Sequence, residues 1–195
     1  MELIEAQLIA NDIAERLAPY CEHVEIAGGV RREKGDVHDI EICCAPKMEA
    51  TTDLFGESLQ ERRSKLFCLA AIGLGKLIKG SVEDGRYVKI DLPEDIVLDL
   101  FIPEKSDYWR QFAIRTGPAE YSHMVLAKTW FKLGWCGTAD GLQLQKESFQ
   151  KTLRSGKNEW VCNSKFPTLP PVWKTEQDFF EWLGLEWVAP NKRKA

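Results

Sequence analysis

No apolar run in this sequence approaches the roughly 20 residues that cross a bilayer, so no membrane partner is expected. The opening M-E-L-I-E lacks the basic start of a signal peptide, and the expectation is a cytoplasmic protein. Cys21, Cys43, Cys44, Cys68, Cys136 and Cys162 contain no C-x-x-C pair, and only three histidines are scattered along the chain. That argues against a zinc site, and the cysteines read as reduced, mostly packed thiols in an intracellular compartment. Positive charge is also in deficit. Lys and Arg number 26 against 30 Asp and Glu, a net charge of −4, which argues against a protein that coats nucleic acid non-specifically. Local basic surface remains open. There is no internal repeat and no low-complexity linker.

What the sequence does have is length for one ordinary domain or two small ones, with a real core. Residues 2–19 read as an amphipathic helix with Ile9, Ile13 and Leu17 inward, ended by Pro19. His23–Ala27 reads as a short strand. His38–Ala45 is a second strand, with Cys43-Cys44 buried and Pro46 as its stop. Residues 47–56 read as a loop. Glu57–Ile72 reads as a helix with Leu59, Leu66, Leu69 and Ala70 inward. Lys76–Gly80 and Arg86–Leu92 flank the turn signal Asp84-Gly85.

Between the first two strands lies the stretch on which the rest turns, A-G-G-V-R-R-E-K-G-D-V-H-D-I-E-I from Ala27 to Ile42. Gly28-Gly29 bares the backbone, Arg31-Arg32 follows, and Asp39 and Glu41 stand two apart in an alternating segment. A strand turns them to one face and sends Ile40 and Ile42 to the other. Two carboxylates about 7 Å apart repel, and a divalent cation would relieve that. Carboxylate oxygens on a rigid frame suit Mg²⁺. The ordinary alternative is a solvent-facing acidic pair. The run Ile96–Ile102 is the most β-like in the chain and holds one polar residue, Asp99. A lone carboxylate there costs several kcal/mol unless it is paired or metal-bound. It reads either as a structural Asp bonded to a loop or as a third ligand beside Asp39 and Glu41.

Asp107–Ile114 reads as a short helix, and Gly117-Pro118 as the start of another that runs to Leu133 and stops at Gly134. Short strands and turns follow over 135–165. A last helix spans Thr175–Leu183, with Thr175 as N-cap and Asp178 completing a capping box. Lys128, Lys132, Lys146, Lys151, Arg154, Lys157 and Lys165 collect in this half with few acids between them. They are either a solvated face or one wall of a nucleic-acid groove.

These pieces resemble the family X DNA polymerases, the group around DNA polymerase beta. Gly28-Gly29-Val30-Arg31-Arg32 followed by Asp39-Ile40-Glu41 is similar to that family's palm motif in residues and spacing. Leu98-Asp99-Leu100 looks like its third acid, and Thr116-Gly117 like the Thr-Gly that opens its thumb. T-E-Q-D-F-F-E-W-L-G-L-E-W-V-A-P-N-K-R, from Thr175 to Arg193, resembles its closing helix and Pro-x-x-Arg. The resemblance implies an α+β fold. It would have a nucleotidyltransferase palm with a mixed or antiparallel sheet and helices on one face (1–110), then a small α/β thumb (111–195).

The resemblance further implies a DNA polymerase that uses two Mg²⁺ ions, with Mn²⁺ able to substitute, for short-gap repair synthesis. The partners would be dNTP and a primer-template or gapped duplex, and the protein would act as a monomer. Asp39, Glu41 and Asp99 would be catalytic and metal-binding. Gly28, Gly29, Arg32, Ile114, Arg115, Thr116, Gly117 and Ser122 would bind the nucleotide. Lys128, Lys132, Lys151 and Arg154 would bind DNA. The family's lyase domain and helix-hairpin-helix fingers have no counterpart here, as in minimal viral members, so lyase activity is not expected. The alternative is another nucleotidyltransferase on the same palm, acting on RNA, a protein or a small molecule. A non-catalytic nucleic-acid-binding subunit is disfavoured because all three acids are present.

Several positions depart from the family. Gly29 stands for a phosphate-binding Ser, His38 for a small residue, and Val97 for a basic residue two before the third acid. Ile114-Arg115 stands for an aromatic pair, and Ser122 lies near a minor-groove Asn. These changes put sugar selection and primer-terminus contacts in question.

Overall fold

The structure, a computed structural model, describes residues 1–52 and 58–194. A five-stranded mixed sheet forms the first half, in the order β1 (Cys21–Ile26), β2 (Asp39–Pro46), β7 (Val97–Phe101), β6 (Tyr87–Asp91), β5 (Lys76–Lys79). Within this sheet β2 and β7 run parallel and the other neighbours antiparallel. Alternation gives the sheet two unlike faces. Ile40, Ile42, Cys44, Leu98 and Leu100 point to one and are fully buried under α1 (Leu3–Leu17) and α3 (Lys65–Ile72). Asp39, Glu41 and Asp99 point to the other. There α4 (Tyr108–Thr116) covers Cys43, Ala45 and Phe101 with Tyr108 and Phe112, and stops short of the acids.

The chain forms α1 as expected, but its buried stripe is Ala6, Ala10, Ile13 and Leu17. Ile9 is only half-buried, because small residues occupy the line that meets the sheet. The helix ends at Leu17, and Pro19 falls in a 3₁₀ turn that follows.

Two expectations fail in the next segment. Met48–Thr52 is a strand, β3, rather than a loop, and it pairs with a second strand, β4 (Ser58–Arg63), where a helix was expected. Cross-strand pairs such as Glu49 with Arg62 outweigh the local helical preference. The remainder of the expected loop and Glu57 lie outside the described residues, as does the side chain of Leu59. The helix begins only at Ser64, whose hydroxyl accepts the Leu66 N–H at 3.3 Å. That start puts Phe67 and Ala71 inward and leaves Leu66 and Leu69 57% and 66% exposed.

The second half is built on a four-stranded sheet, in the order β10 (Ser148–Thr152), β11 (Asn158–Cys162), β8 (Trp135–Thr138), β9 (Gly141–Leu144). Pro118 is an N-cap rather than the first helical residue. From it run α5 (Ala119–Tyr121), a π-helical stretch (Ser122–Ala127) and α6 (Lys128–Lys132). The closing helix α7 (Glu176–Trp182) carries the expected capping box of Thr175 and Asp178. Phe179 and Phe180 of α7 pack with Leu126, Trp130, Leu142 and Trp173 in a second core. Ala113 belongs to that core, so α4 serves both halves, and the 110/111 division drawn from sequence falls inside it. All six cysteines are free thiols. Among the described residues no helix is long and apolar enough to cross a membrane.

Candidate active site

Parallel pairing of β2 with β7 sets Glu41 directly beside Asp99, with Asp39 two residues along the same face. The three acids therefore share the uncovered end of that face. Each is partly buried. Asp99 Oδ1 accepts a hydrogen bond from the Tyr87 hydroxyl at 2.8 Å and lies 3.6 Å from the Lys89 ammonium. Burial and that bond push the Tyr87 phenol up to about 12.

Glu41 lacks such relief. Burial, followed by the charges of Asp39 and Asp99, raises its carboxyl to about 7, although Arg32 and the Gly29 N–H pull the other way. Among the described residues no three His, Cys, Asp or Glu side chains converge on a common ligating point. The donor set still fits Mg²⁺ in kind, being all carboxylate oxygen on rigid strands. The repulsion that raises Glu41 is one a divalent cation would remove.

The glycine turn is the first turn of a four-residue helix, α2 (Gly28–Arg31). Gly28 sits at φ +58°, and a Cβ there would overlap the Glu41 carboxylate. Only glycine allows that approach. The Gly29 N–H, the amide expected to hold phosphate, lies close enough to the Glu41 carboxylate to favour its charged form slightly.

Arg32 reaches across to the other wall and donates to the Thr116 carbonyl beside Gly117. A cleft of about 580 Å³ lies between the walls. Arg32, Asp39 and Glu41 line one side, and Ile114, Arg115, Gly117 and Ser122 the other. The structure thus brings together most of the residues chosen from sequence. Arg115 lies over the Phe101 ring, 4.2 Å from its centroid, at the edge of the acidic face. Ser122 is turned inward and donates to the Ile114 carbonyl at 2.9 Å.

Thr116 does not reach the cleft. It is fully buried, and its hydroxyl accepts from Arg31, so its part is support rather than direct nucleotide contact. His123, Ala127 and Trp130 also line the cleft and were missed. His123 follows Ser122 directly, which was the one sequence signal for it.

Arg31, left without a role in the sequence reading, fastens the two halves together. Its guanidinium makes two hydrogen bonds to Glu176, at 2.9 and 2.8 Å, and lies over the Phe112 ring 4.0 Å from the centroid. Arg193 and Trp187 add bonds to the same carboxylate at 2.9 and 2.8 Å. Burial pushes the Glu176 carboxyl up, but these donors outweigh it and hold it below the usual carboxylate range. In sequence Glu176 was indistinguishable from an ordinary first-turn acid, and it too was missed.

Lys128 and Lys132 are exposed one turn apart on α6, Lys151 is exposed on β10, and Arg154 in the turn after it. None lines the cleft.

No protein-family model and no curated protein sequence matches this chain significantly. Solved structures do. The chain is similar over its whole length to Leishmania infantum polymerase beta in a ternary gap complex. The TM-score is 0.67 at 15% identity, and the match takes in 71% of that protein. It is similar also to the ternary P/T complex of the same polymerase, with a TM-score of 0.63 at 14% identity and 77% of that chain covered. At such identity the likeness is one of fold, and the fold is a polymerase-beta-like palm and small thumb.

Proposed function

We propose that this chain is a DNA polymerase of the family X type, transferring dNMP from dNTP to a primer 3′-hydroxyl in short-gap repair. One observation carries the reading. Asp39, Glu41 and Asp99 share an uncovered sheet face, with Glu41 and Asp99 in register on adjacent strands, and Asp39 and Glu41 line one wall of a cleft whose other wall opens the thumb. In this reading residues 1–110 are the palm and 111–195 the thumb.

Asp39 and Glu41 would hold two Mg²⁺ ions, and Asp99 only the catalytic one. Mn²⁺ would substitute for either. When bound, the ions supply the charge that acidifies the 3′-hydroxyl and carries the triphosphate. The O3′–Pα bond forms as the bond from Pα to the bridging oxygen breaks, and pyrophosphate leaves. Arg32 and the Gly28-Gly29 amides hold the β- and γ-phosphates. Gly117 and the start of α5 lie under the sugar and base. Ile114, with Arg115 beside it, stands where sugar selection is decided, and an apolar contact alone rejects an added hydroxyl by only about 10²-fold. Lys128, Lys132, Lys151 and Arg154 give the thumb its hold on the duplex backbone.

The test is extension of a gapped duplex with each of the four dNTPs in Mg²⁺, with and without a 5′-phosphate downstream, beside an untemplated strand and an RNA acceptor. Templated addition to the gapped DNA is the expected result. Addition only to the untemplated strand or to RNA would point to another nucleotidyltransferase. No addition to any acceptor would remove the reading.

A further inference from the structure

The sheet face that carries the acids continues outward as a row of cations. Strand register sets Glu41 beside Asp99, Asp99 beside Lys89, and Lys89 beside Lys79 on the edge strand β5. Cross-strand partners share a face, so β2, β7, β6 and β5 present acid, acid, base and base in order.

Two groups from β6 converge on one oxygen of Asp99. The Tyr87 hydroxyl donates to Oδ1 at 2.8 Å, and the Lys89 ammonium stands 3.6 Å from the same atom. Both act on Oδ1, and among the described residues Oδ2 accepts no hydrogen bond. Tyr87 is itself held in place. Its ring packs on Phe101 with centroids 5.3 Å apart, and the Lys79 ammonium lies 5.9 Å over its face. The phenol is therefore a fixed donor rather than a mobile surface group.

We propose that Tyr87 and Lys89 are positioning residues for Asp99, holding Oδ1 and offsetting its charge so that the other oxygen is left for a divalent cation. The inference rests on the reading of Asp99 as a metal ligand. A free aspartate on a strand turns about two bonds, and the neighbouring acids Asp39 and Glu41 would drive it away from the place where a shared cation belongs. A hydrogen bond from a locked phenol removes that freedom. The ammonium lowers the repulsion among the acids before any cation arrives, and it does so as a donor that cannot itself become a ligand. The two roles make different demands. Tyr87 must keep its hydroxyl, and Lys89 must keep its charge.

The experiment uses the full chain and Mn²⁺ as the probe, with binding followed by calorimetry, turnover by primer extension, and folding by thermal melting. Tyr87→Phe keeps the ring on Phe101 and should melt like wild type. Its Mn²⁺ binding should weaken and its kcat fall, each by about tenfold. Lys89→Met removes a positive charge from beside the site. It should bind Mn²⁺ about threefold to fivefold tighter, while its kcat falls because Asp99 is less well held. Lys89→Arg should restore both. A purely structural pair would not give affinity and rate opposite signs.

Wild-type Mn²⁺ binding and kcat in Tyr87→Phe and Lys89→Met would overturn the inference and leave the metal site standing. So would a Lys89→Met protein in which affinity and rate fall together with melting temperature. A wild-type protein that binds no Mn²⁺ would remove the metal site itself, and this inference with it. Should Tyr87→Phe fail to fold, the Lys89 pair decides alone, since Lys89 is partly exposed.

Discussion

Two carboxylate sites in this molecule are solved in opposite ways. Glu176 is almost wholly buried, and two arginines and an indole N–H satisfy it, which holds its carboxyl below the ordinary range. Glu41 is partly buried, and burial together with the charges of Asp39 and Asp99 outweighs Arg32, so its carboxyl rises to about 7. The first site stores stability by joining α2 to α7. The second leaves a charge problem unsolved within the protein. Unsolved electrostatics of that kind cluster where function lies, because a ligand is expected to complete them. The difference separates an acid that fastens from an acid that waits.

The comparison can be broken most strongly at the acidic site. Asp39→Asn and Asp99→Asn should each lower nucleotide addition by about 10³-fold or more, since several kcal/mol of charge stabilisation are withdrawn. Both proteins should fold: Asp39→Asn with stability unchanged or raised by about 1 kcal/mol, because a repulsion has been removed, and Asp99→Asn with stability about unchanged, because the lost repulsion is offset by the lost attraction to Lys89 and Tyr87. Primer extension and urea unfolding measure the two quantities. A variant with wild-type turnover, or one that does not fold, would contradict the contrast.

Glu176→Ala should do the reverse. It strands Arg31 and Arg193 in a buried place and should cost about 3–5 kcal/mol in unfolding free energy. A loss under about 1 kcal/mol would mean that the network is no fastening.

Gly28→Ala sharpens the comparison at the point where backbone and acid meet. It forces a side chain into φ +58° and onto the Glu41 carboxylate. The expected cost is about 1–3 kcal/mol, with a drop in kcat as Glu41 is displaced. Thermal melting and single-nucleotide insertion would read both.

The smallest effect is in pH. The folded-state value for Glu176 lies below its ordinary 4.5, so its contribution is complete above that pH and is lost as pH falls through the depressed value. In Glu176→Gln, the decline in stability on acidification below about pH 4.5 should be shallower than in wild type. Equal slopes would show that other acids govern the acid limb.

How much of this could be read in advance follows from the range of the forces involved. Asp39, Glu41 and Asp99 were legible because alternation along a strand is local, and an acid inside an apolar run carries its own anomaly. The capping box at Thr175 was legible for the same reason. The β3–β4 hairpin was not, since its residues read as helix or loop until paired across strands. The buried face of α3 was misread because Ser64, the residue that sets where the helix starts, was overlooked. Glu176 was invisible because its partners Arg31 and Arg193 lie 145 and 17 residues away in sequence. The π-helical stretch that brings Ser122 and His123 to the cleft likewise left no mark in the periodicity.

The position of α4 bears on how the chain can be cut. Tyr108 and Phe112 cover the first sheet, while Ala113, one residue further, belongs to the second core. A fragment ending at residue 110 would lose Phe112 and leave Phe101 and Cys43 under-covered. One beginning at 111 would start inside a helix that has lost its first turn. Two such fragments, produced separately, should be sticky and poorly folded. The better place for a nick, a tag or a circular permutation is the turn between β10 and β11, where Ser155 and Gly156 are exposed.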